Sequence, residues 1–209
     1  MNIQTRLGGW AVALAGAALF LAVPARANII ISVGDVFAIA GSTGNGIDVT
    51  LTNTGPSAIN VGGFNFQIST SDTDITFQST TISTLAPYVF LGDSLFGSPI
   101  NTCTSPCGQS IDGSDLAASA GDLVAAGATV GLGHVLFDVA GGATPGPFVV
   151  TLAGFPGTSL AGAAPAGANI PIDTFTDGQI TITAVPEPAS ALLLISALGA
   201  LVAVKRRRR

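Results

Sequence analysis

Basic residues are absent from most of this chain. All seven Lys and Arg residues lie near the two ends, and none occurs between residues 28 and 185. That stretch contains eleven Asp, no Glu and one His, so its formal charge is −11, although the whole chain carries −5. Because phosphate groups are bound mainly by Lys and Arg, this composition excludes a nucleic-acid partner.

Aromatic platforms for sugars are also scarce. The one Trp, Trp10, lies near the N-terminus, and Tyr88 is the one Tyr. Sugar rings usually stack on exposed Trp or Tyr, and the Phe residues are needed for a core. Surface glycans therefore stay a candidate partner only through hydrogen bonds from loops rich in Asp, Asn and Thr.

The N-terminus has the pattern of a secretory signal peptide. Arg6 gives a short basic region, residues 10–23 form an apolar run, and Ala25-Arg26-Ala27 fits a small-residue cleavage site. The alternative is an uncleaved anchor, but the run is short for a spanning helix and Pro24 interrupts it. We predict a signal peptide over residues 1–27.

The pattern of residues 28–185 predicts one all-β domain. Apolar and polar residues alternate over 47–53, 64–69 and 180–183, and apolar runs at 135–139 and 148–152 fit buried strands. Clusters of Gly, Pro, Asn and Thr separate these segments. The expected architecture is an antiparallel β-sandwich. We expect a surface loop over 154–167.

The middle of the domain is expected to be a long excursion between the sheets. Residues 83–121 have few strand signals, apart from a short segment near Val89-Phe90-Leu91. Cys103 and Cys107 lie here in Cys-Thr-Ser-Pro-Cys, and an exported chain favours a local disulfide. A metal site would need two more ligands, and thiol–disulfide catalysis usually shows Cys-x-x-Cys at a helix start.

Two blocks of the domain carry a family resemblance. The first joins Val33-Gly34-Asp35-Val36-Phe37 to the strands at 47–53 and 61–69, and the second contains the strands at 131–139 and 146–152. Together they resemble a cohesin-type domain. The resemblance implies a cohesin-like or jelly-roll-like sandwich and offers a carbohydrate- or protein-binding module as an alternative function.

The C-terminus has three parts in a fixed order. Pro186-Glu187-Pro188 holds the backbone extended, because each proline fixes its own φ and restricts the residue before it. Residues 189–204 are apolar and suit a membrane helix of about 24 Å. The basic cluster consists of Lys205, Arg206, Arg207, Arg208 and Arg209. By the positive-inside rule it stays cytoplasmic, which places the domain outside.

This tail resembles the PEP-CTERM sorting signal of exosortase substrates. The alternative is an ordinary membrane anchor behind a proline-rich linker, but the motif, spacing and order all agree with the sorting signal. The resemblance implies that an exosortase acts at the tail of residues 186–209. It also implies a role in bacterial exopolysaccharide, biofilm or other cell-surface material.

Catalytic chemistry has weak support in the sequence. Gly92-Asp93-Ser94-Leu95 spells the GDSL hydrolase signature, in which the serine is the nucleophile. Such enzymes need a histidine base on an α/β sheet, whereas His134, the one His, lies in a β pattern. We therefore predict no catalytic residue and no enzyme.

No cofactor is expected, with Ca²⁺ as the one candidate. Asp72 with Asp74 and Asp112 with Asp115 form two pairs that are candidate ligands, because hard cations take several oxygens. Neither stretch matches an EF-hand, and solvated turn residues are the favoured interpretation. The leading hypothesis is a non-enzymatic envelope protein, held in the membrane by its tail and then displayed at the cell surface.

Overall fold

A computed structural model describes residues 28–163 and 167–185 of the chain. The predicted signal peptide, with Ala25 and Ala27, lies outside the described residues. The same holds for the tail of residues 186–209, with its Pro-Glu-Pro motif, apolar segment and basic cluster. Across the two described ranges, no helix is long and apolar enough to cross a membrane.

The described chain forms thirteen strands. They are β1 (Ile29–Val33), β2 (Asp35–Ile39), β3 (Asn45–Asn53), β4 (Ile59–Ser69), β5 (Ile75–Thr81), β6 (Ser110–Leu116), β7 (Asp122–Val124), β8 (Thr129–Val139), β9 (Gly146–Leu152), β10 (Ser159–Gly162), β11 (Asn169–Ile170), β12 (Thr174–Thr176) and β13 (Gly178–Thr183). Five of the six segments predicted as strands lie within these elements.

Two sheets pack face to face. The small sheet has the order β12-β1-β3-β8-β5. The large sheet is built around β4, because residues 63–65 pair with β6 on one edge and β10 on the other. Strand β7 pairs with β4 on the same edge as β6. On the other edge, β10 is followed by β11, while β9 pairs with residues 68–69 of β4 and is followed by β13 and β2.

The prediction of an all-β sandwich is confirmed, but its sheets are mixed rather than purely antiparallel. Strand β1 pairs in parallel with β12 in the small sheet, and β2 pairs in parallel with β13 in the large sheet. At both ends of the domain the chain passes from the small sheet to the large sheet within one residue, at Gly34 between β1 and β2 and at Asp177 between β12 and β13. The N-terminal and C-terminal pairs of strands therefore run side by side.

The core lies between the sheets and follows the alternation seen in the sequence. In β3 the side chains of Ile47, Val49 and Leu51 are fully buried, while the residues between them are half-buried. The largest buried side chains include Phe66, Phe77, Phe90 and Phe137. Burying one such side chain contributes about 1.5–3 kcal/mol, so the phenylalanines stabilise a domain that has no Lys or Arg for salt bridges.

Three local predictions are wrong. The excursion at 83–121 contains a full strand, β6, that runs beside β4. Val89-Phe90-Leu91 forms turns instead of a strand, because the Leu91 N–H donates to the Tyr88 carbonyl and the Asp93 N–H to the Phe90 carbonyl; Phe90 itself is buried in the core. The predicted loop at 154–167 contains β10, whose Leu160 is buried.

Candidate functional site

The part of the excursion that precedes β6 is fastened to that strand through the carboxyl group of Asp115. This side chain has 0% exposure and accepts four hydrogen bonds. Tyr88 Oη (2.7 Å) and Ser94 Oγ (2.5 Å) donate to Oδ2. The backbone N–H groups of Phe96 and Leu116 donate to Oδ1. Burial, and then the hydrogen bond to Asp115, raise the pKa of the Tyr88 phenol, which therefore acts as a donor.

Ser94 of the GDSL tetrapeptide belongs to this cluster. Its hydroxyl donates to Asp115 and accepts from the Gly97 N–H at 2.9 Å. His134 pairs instead with Asp48 on the small sheet, where its Nδ1 lies 2.5 Å from Oδ1. Ser94 is thus hydrogen-bonded to Asp115 and His134 to Asp48, so Ser94 and His134 do not form a pair.

Asp48 connects the small sheet to the start of the excursion. Its Oδ2 accepts a hydrogen bond from the Leu85 backbone N–H at 2.7 Å, while its Oδ1 contacts His134. His134 lies on β8 between β3 and β5, so it is not on an edge strand. Its ring covers Gly46, where a Cβ atom would collide with the imidazole.

The predicted Ca²⁺ candidates do not come together. Asp72 Oδ1 accepts from the Asp74 N–H at 2.7 Å, which closes a local turn. Asp112 points to the outer face of β6 and Asp115 to the core, because they are three positions apart on a strand. The expectation that this pair consists of solvated turn residues is therefore wrong. Within residues 28–163 and 167–185, no group of three or more His, Cys, Asp or Glu could hold a metal ion.

Cys103 and Cys107 form a disulfide whose Cα atoms are 5.6 Å apart. The Cys107 N–H donates to the Phe77 carbonyl at 2.8 Å, which ties the loop to β5. The Asn101 side chain donates to the Cys103 carbonyl at 3.0 Å. These bonds hold the loop beside the outer face of β6.

A concave site lies on the outer face of the large sheet, and we call it the sheet groove. It has a volume of about 510 Å³. Its lining combines outward side chains of β4 and β6 with the disulfide loop and a turn before β10. The lining residues are Asn65, Phe66, Gln67, Thr102, Cys103, Ser110, Ile111, Asp112, Ser114 and Gly157.

The walls of the sheet groove are fixed by hydrogen bonds. Asn65 Nδ2 donates to the Gly157 carbonyl at 2.9 Å, and its Oδ1 accepts from the Ser159 hydroxyl. Asp112 Oδ2 accepts from the Thr102 hydroxyl at 2.9 Å. The site is therefore preformed on a rigid sheet, as binding sites for small ligands usually are.

A second hollow of about 240 Å³ extends the sheet groove. It shares Thr102 and Ser114 with the groove and is closed by Phe96, Pro99, Ile100 and Asn101. Phe96 is 57% exposed, although its backbone N–H is held by Asp115. A polar depression and an exposed aromatic ring thus lie side by side.

The sequence did not point to the sheet groove. Its residues come from two strands and two loops spread over about ninety positions, and no short motif unites them. The one available signal was the polar half of the alternation in 64–69, where Asn65 and Gln67 face outward. Their neighbours across β6 could not be placed while β6 itself was unrecognised.

Comparison with known proteins identifies the C-terminal tail. The family model described as the PEP-CTERM protein-sorting motif matches residues 184–209. No curated protein matches the chain. The family match covers the motif, the apolar segment and the basic cluster that the sequence singled out.

Several solved cohesin structures are similar to the domain. The seventh ScaB type I cohesin from Pseudobacteroides cellulosolvens has a TM-score of 0.54 and 16% identity, covering 77% of this chain and 96% of that one. A type I cohesin–dockerin complex from Clostridium thermocellum has 0.54 and 14%, covering 75% and 99%. A cohesin from Clostridium acetobutylicum has 0.52 and 21%, covering 76% and 92%. This chain therefore carries a PEP-CTERM protein-sorting motif behind a domain with the cohesin fold.

Proposed function

We propose that this chain is an exported envelope protein that an exosortase processes at its tail, leaving the β-sandwich at the cell surface. The match of residues 184–209 to the PEP-CTERM motif carries the proposal. The apolar segment 189–204 would span the membrane with the basic cluster on the cytoplasmic side. The signal peptide of residues 1–27 would start export.

The displayed sandwich is proposed as a non-enzymatic component of the surface or exopolysaccharide matrix. Two observations support a passive role in the described residues. Ser94 is held by Asp115, and His134 is paired with Asp48, so neither is part of a nucleophile–base pair. The cohesin fold also favours the alternative function, a binding module, and the sheet groove is the surface on which it would act.

Replacing the Pro-Glu-Pro motif tests the sorting proposal. In a host with an exosortase, we expect Pro186→Ala, Glu187→Ala and Pro188→Ala together to leave a larger, membrane-bound form. The unsubstituted chain should lose its tail and show a smaller intact mass. Pro171→Ala, in an exposed loop of the domain, is the matched control and should be processed normally. If the triple variant lost its tail and left the membrane in the same way as the Pro171→Ala control, exosortase processing at this motif would be refuted.

A further inference from the structure

The sheet groove has the size and shape of a site for an extended small ligand. The groove of about 510 Å³ and the hollow of about 240 Å³ share Thr102 and Ser114 in their linings, so they lie next to each other on the same face. Ligand sites of roughly 300–1,000 Å³ hold molecules of drug size, which is the scale of a few sugar rings. The two hollows together extend across β4 and β6 from the Gly157 turn to Phe96.

Its lining offers hydrogen bonds of both kinds. Gln67 Nε2 donates to Ser110 Oγ at 3.3 Å, which leaves the Gln67 carbonyl and one N–H for a ligand. Ser110 can still donate its hydroxyl proton. Ser114 presents a hydroxyl, and Asp112 has lone pairs beyond those used by Thr102. Donors and acceptors spaced along two neighbouring strands suit a ligand with many hydroxyl groups.

Phe96 supplies the apolar part of such a site. It is 57% exposed at the end of the depression, and its backbone is held by Asp115. The face of an aromatic ring packs on the C–H face of a sugar ring, while the sugar hydroxyls turn to polar neighbours. The aromatic platform that Trp and Tyr usually provide is thus offered here by a phenylalanine.

Charge limits the class of ligand. Residues 28–185 contain no Lys or Arg, and the sheet groove holds the carboxyl group of Asp112. A polyanion would meet repulsion without a compensating cation. A protein partner would be expected to bury hot spots rich in Trp, Tyr and Arg, and the lining of the groove has none of these.

We infer that the sheet groove binds a segment of a neutral polysaccharide, with Phe96 stacking on one sugar ring and Gln67, Ser114 and Asp112 binding hydroxyl groups. This inference rests on the proposed role of the domain as a binding module. It assigns that module a ligand class and a surface.

The test uses the full chain purified in detergent micelles. The probes are neutral hexasaccharides of β-1,4-glucan, β-1,3-glucan and mannan, with an alginate hexasaccharide as the anionic comparison, and binding is measured by calorimetry. We expect at least one neutral hexasaccharide to bind and alginate not to bind. Phe96→Ala should weaken binding about tenfold or more, and Gln67→Ala should weaken it severalfold.

Two matched controls lie elsewhere on the large sheet. Phe37 is an exposed phenylalanine on β2 (80% exposed), and Gln179 lies on β13. Phe37→Ala and Gln179→Ala should bind as tightly as the unsubstituted chain. No binding of any neutral hexasaccharide, stronger binding of alginate, or equal losses at Phe37 and Phe96 would overturn the inference.

A photo-crosslinking residue at position 114 distinguishes failure of the glycan inference from failure of the proposed binding-module function. In producing cells, we expect the crosslinked material to contain carbohydrate. A crosslinked protein at this position, without glycan binding, would overturn the glycan assignment but keep the binding module. Processing of the tail is measured separately by intact mass, so its outcome does not depend on the groove.

Discussion

Single buried polar residues organise this domain more than its surface charges do. Asp115 has 0% exposure yet has four donors around it, two from side chains and two from the backbone. Buried carboxyl groups are tolerated only where hydrogen bonds replace water. Asp115 therefore sets the positions of Tyr88, Ser94 and Phe96, and through Phe96 it shapes one end of the sheet groove.

Replacing Asp115 should unfold the domain more easily. Asp115→Ala leaves the buried Tyr88 hydroxyl and two backbone N–H groups without acceptors, so we expect the free energy of unfolding to fall by about 3 kcal/mol or more. Urea denaturation followed by circular dichroism measures the change. Asp112→Ala, on the outer face of the same strand, is the control and should cost less than about 1 kcal/mol. Equal losses would show that the buried hydrogen bonds are not the cause.

At the scale of elements, the sequence predicted the strands whose inward positions are apolar. In β3 and β4 the alternation was visible, and both elements are present. Strand β6 was not predicted, because its inward positions are Ile111, Gly113 and Asp115, and two of these are not typical core residues. Gly113 and Asp115 are found at inward positions because of tertiary contacts. Phe66 fills the space above Gly113, and the excursion supplies hydrogen-bond donors to Asp115. No local pattern could reveal either partner.

The same tertiary dependence explains the other misses. Strand β10 is four residues long and pairs on β4, so its register comes from Asn65 and Gly63 across the sheet and not from its own pattern. The parallel pairings of β2 and β13 join the two ends of the domain, which are far apart in sequence. The sorting motif in the tail could be recognised from adjacent residues. The sheet groove could be predicted only if the strands that pair with both edges of β4 were already known.

Gly113 tests the packing between the elements. A Cβ atom there would lie 2.5 Å from Phe66 Cζ, and one at Gly133 on β8 would lie 2.8 Å from the same atom. The Phe66 ring therefore occupies the space that both glycines leave open. We expect Gly113→Ala to lower the free energy of unfolding by about 1–3 kcal/mol, because the ring must leave its position.

Control variants separate crowding from the general effect of alanine. Gly142→Ala lies in a loop with no atom near its Cβ position, so it should change stability little. Combining Gly113→Ala with Phe66→Leu should cost less than the sum of the two single changes, since the smaller side chain makes room. Additive losses in this double-mutant cycle would contradict the steric account.

At the scale of the whole molecule, the domain is unusual in having carboxyl groups without cations. Residues 28–185 carry eleven Asp, and His134 is the one basic side chain near any of them in the described residues. At Asp122, burial raises the pKa of the carboxyl group, and the negative charge of Asp93 adds to the rise. A raised pKa in the folded state means that this group favours folding below its usual pKa of 3.8 and disfavours folding once it ionises.

This charge balance predicts that salt stabilises the domain of residues 28–185. Repulsion among exposed carboxylates is screened as the Debye length falls from about 30 Å at 0.01 M to about 10 Å at 0.1 M salt, so the melting temperature at pH 7 should rise over that range. Asp122→Asn removes one repulsion, and its melting temperature at low salt should exceed that of the unsubstituted chain by up to about 2 °C. The part of that advantage that comes from repulsion by Asp93 should shrink in high salt, and the whole advantage should disappear as the pH falls below the pKa of Asp122. A melting temperature that falls with salt, or an advantage independent of both salt and pH, would show that packing alone determines stability and that the missing cations cost the domain nothing.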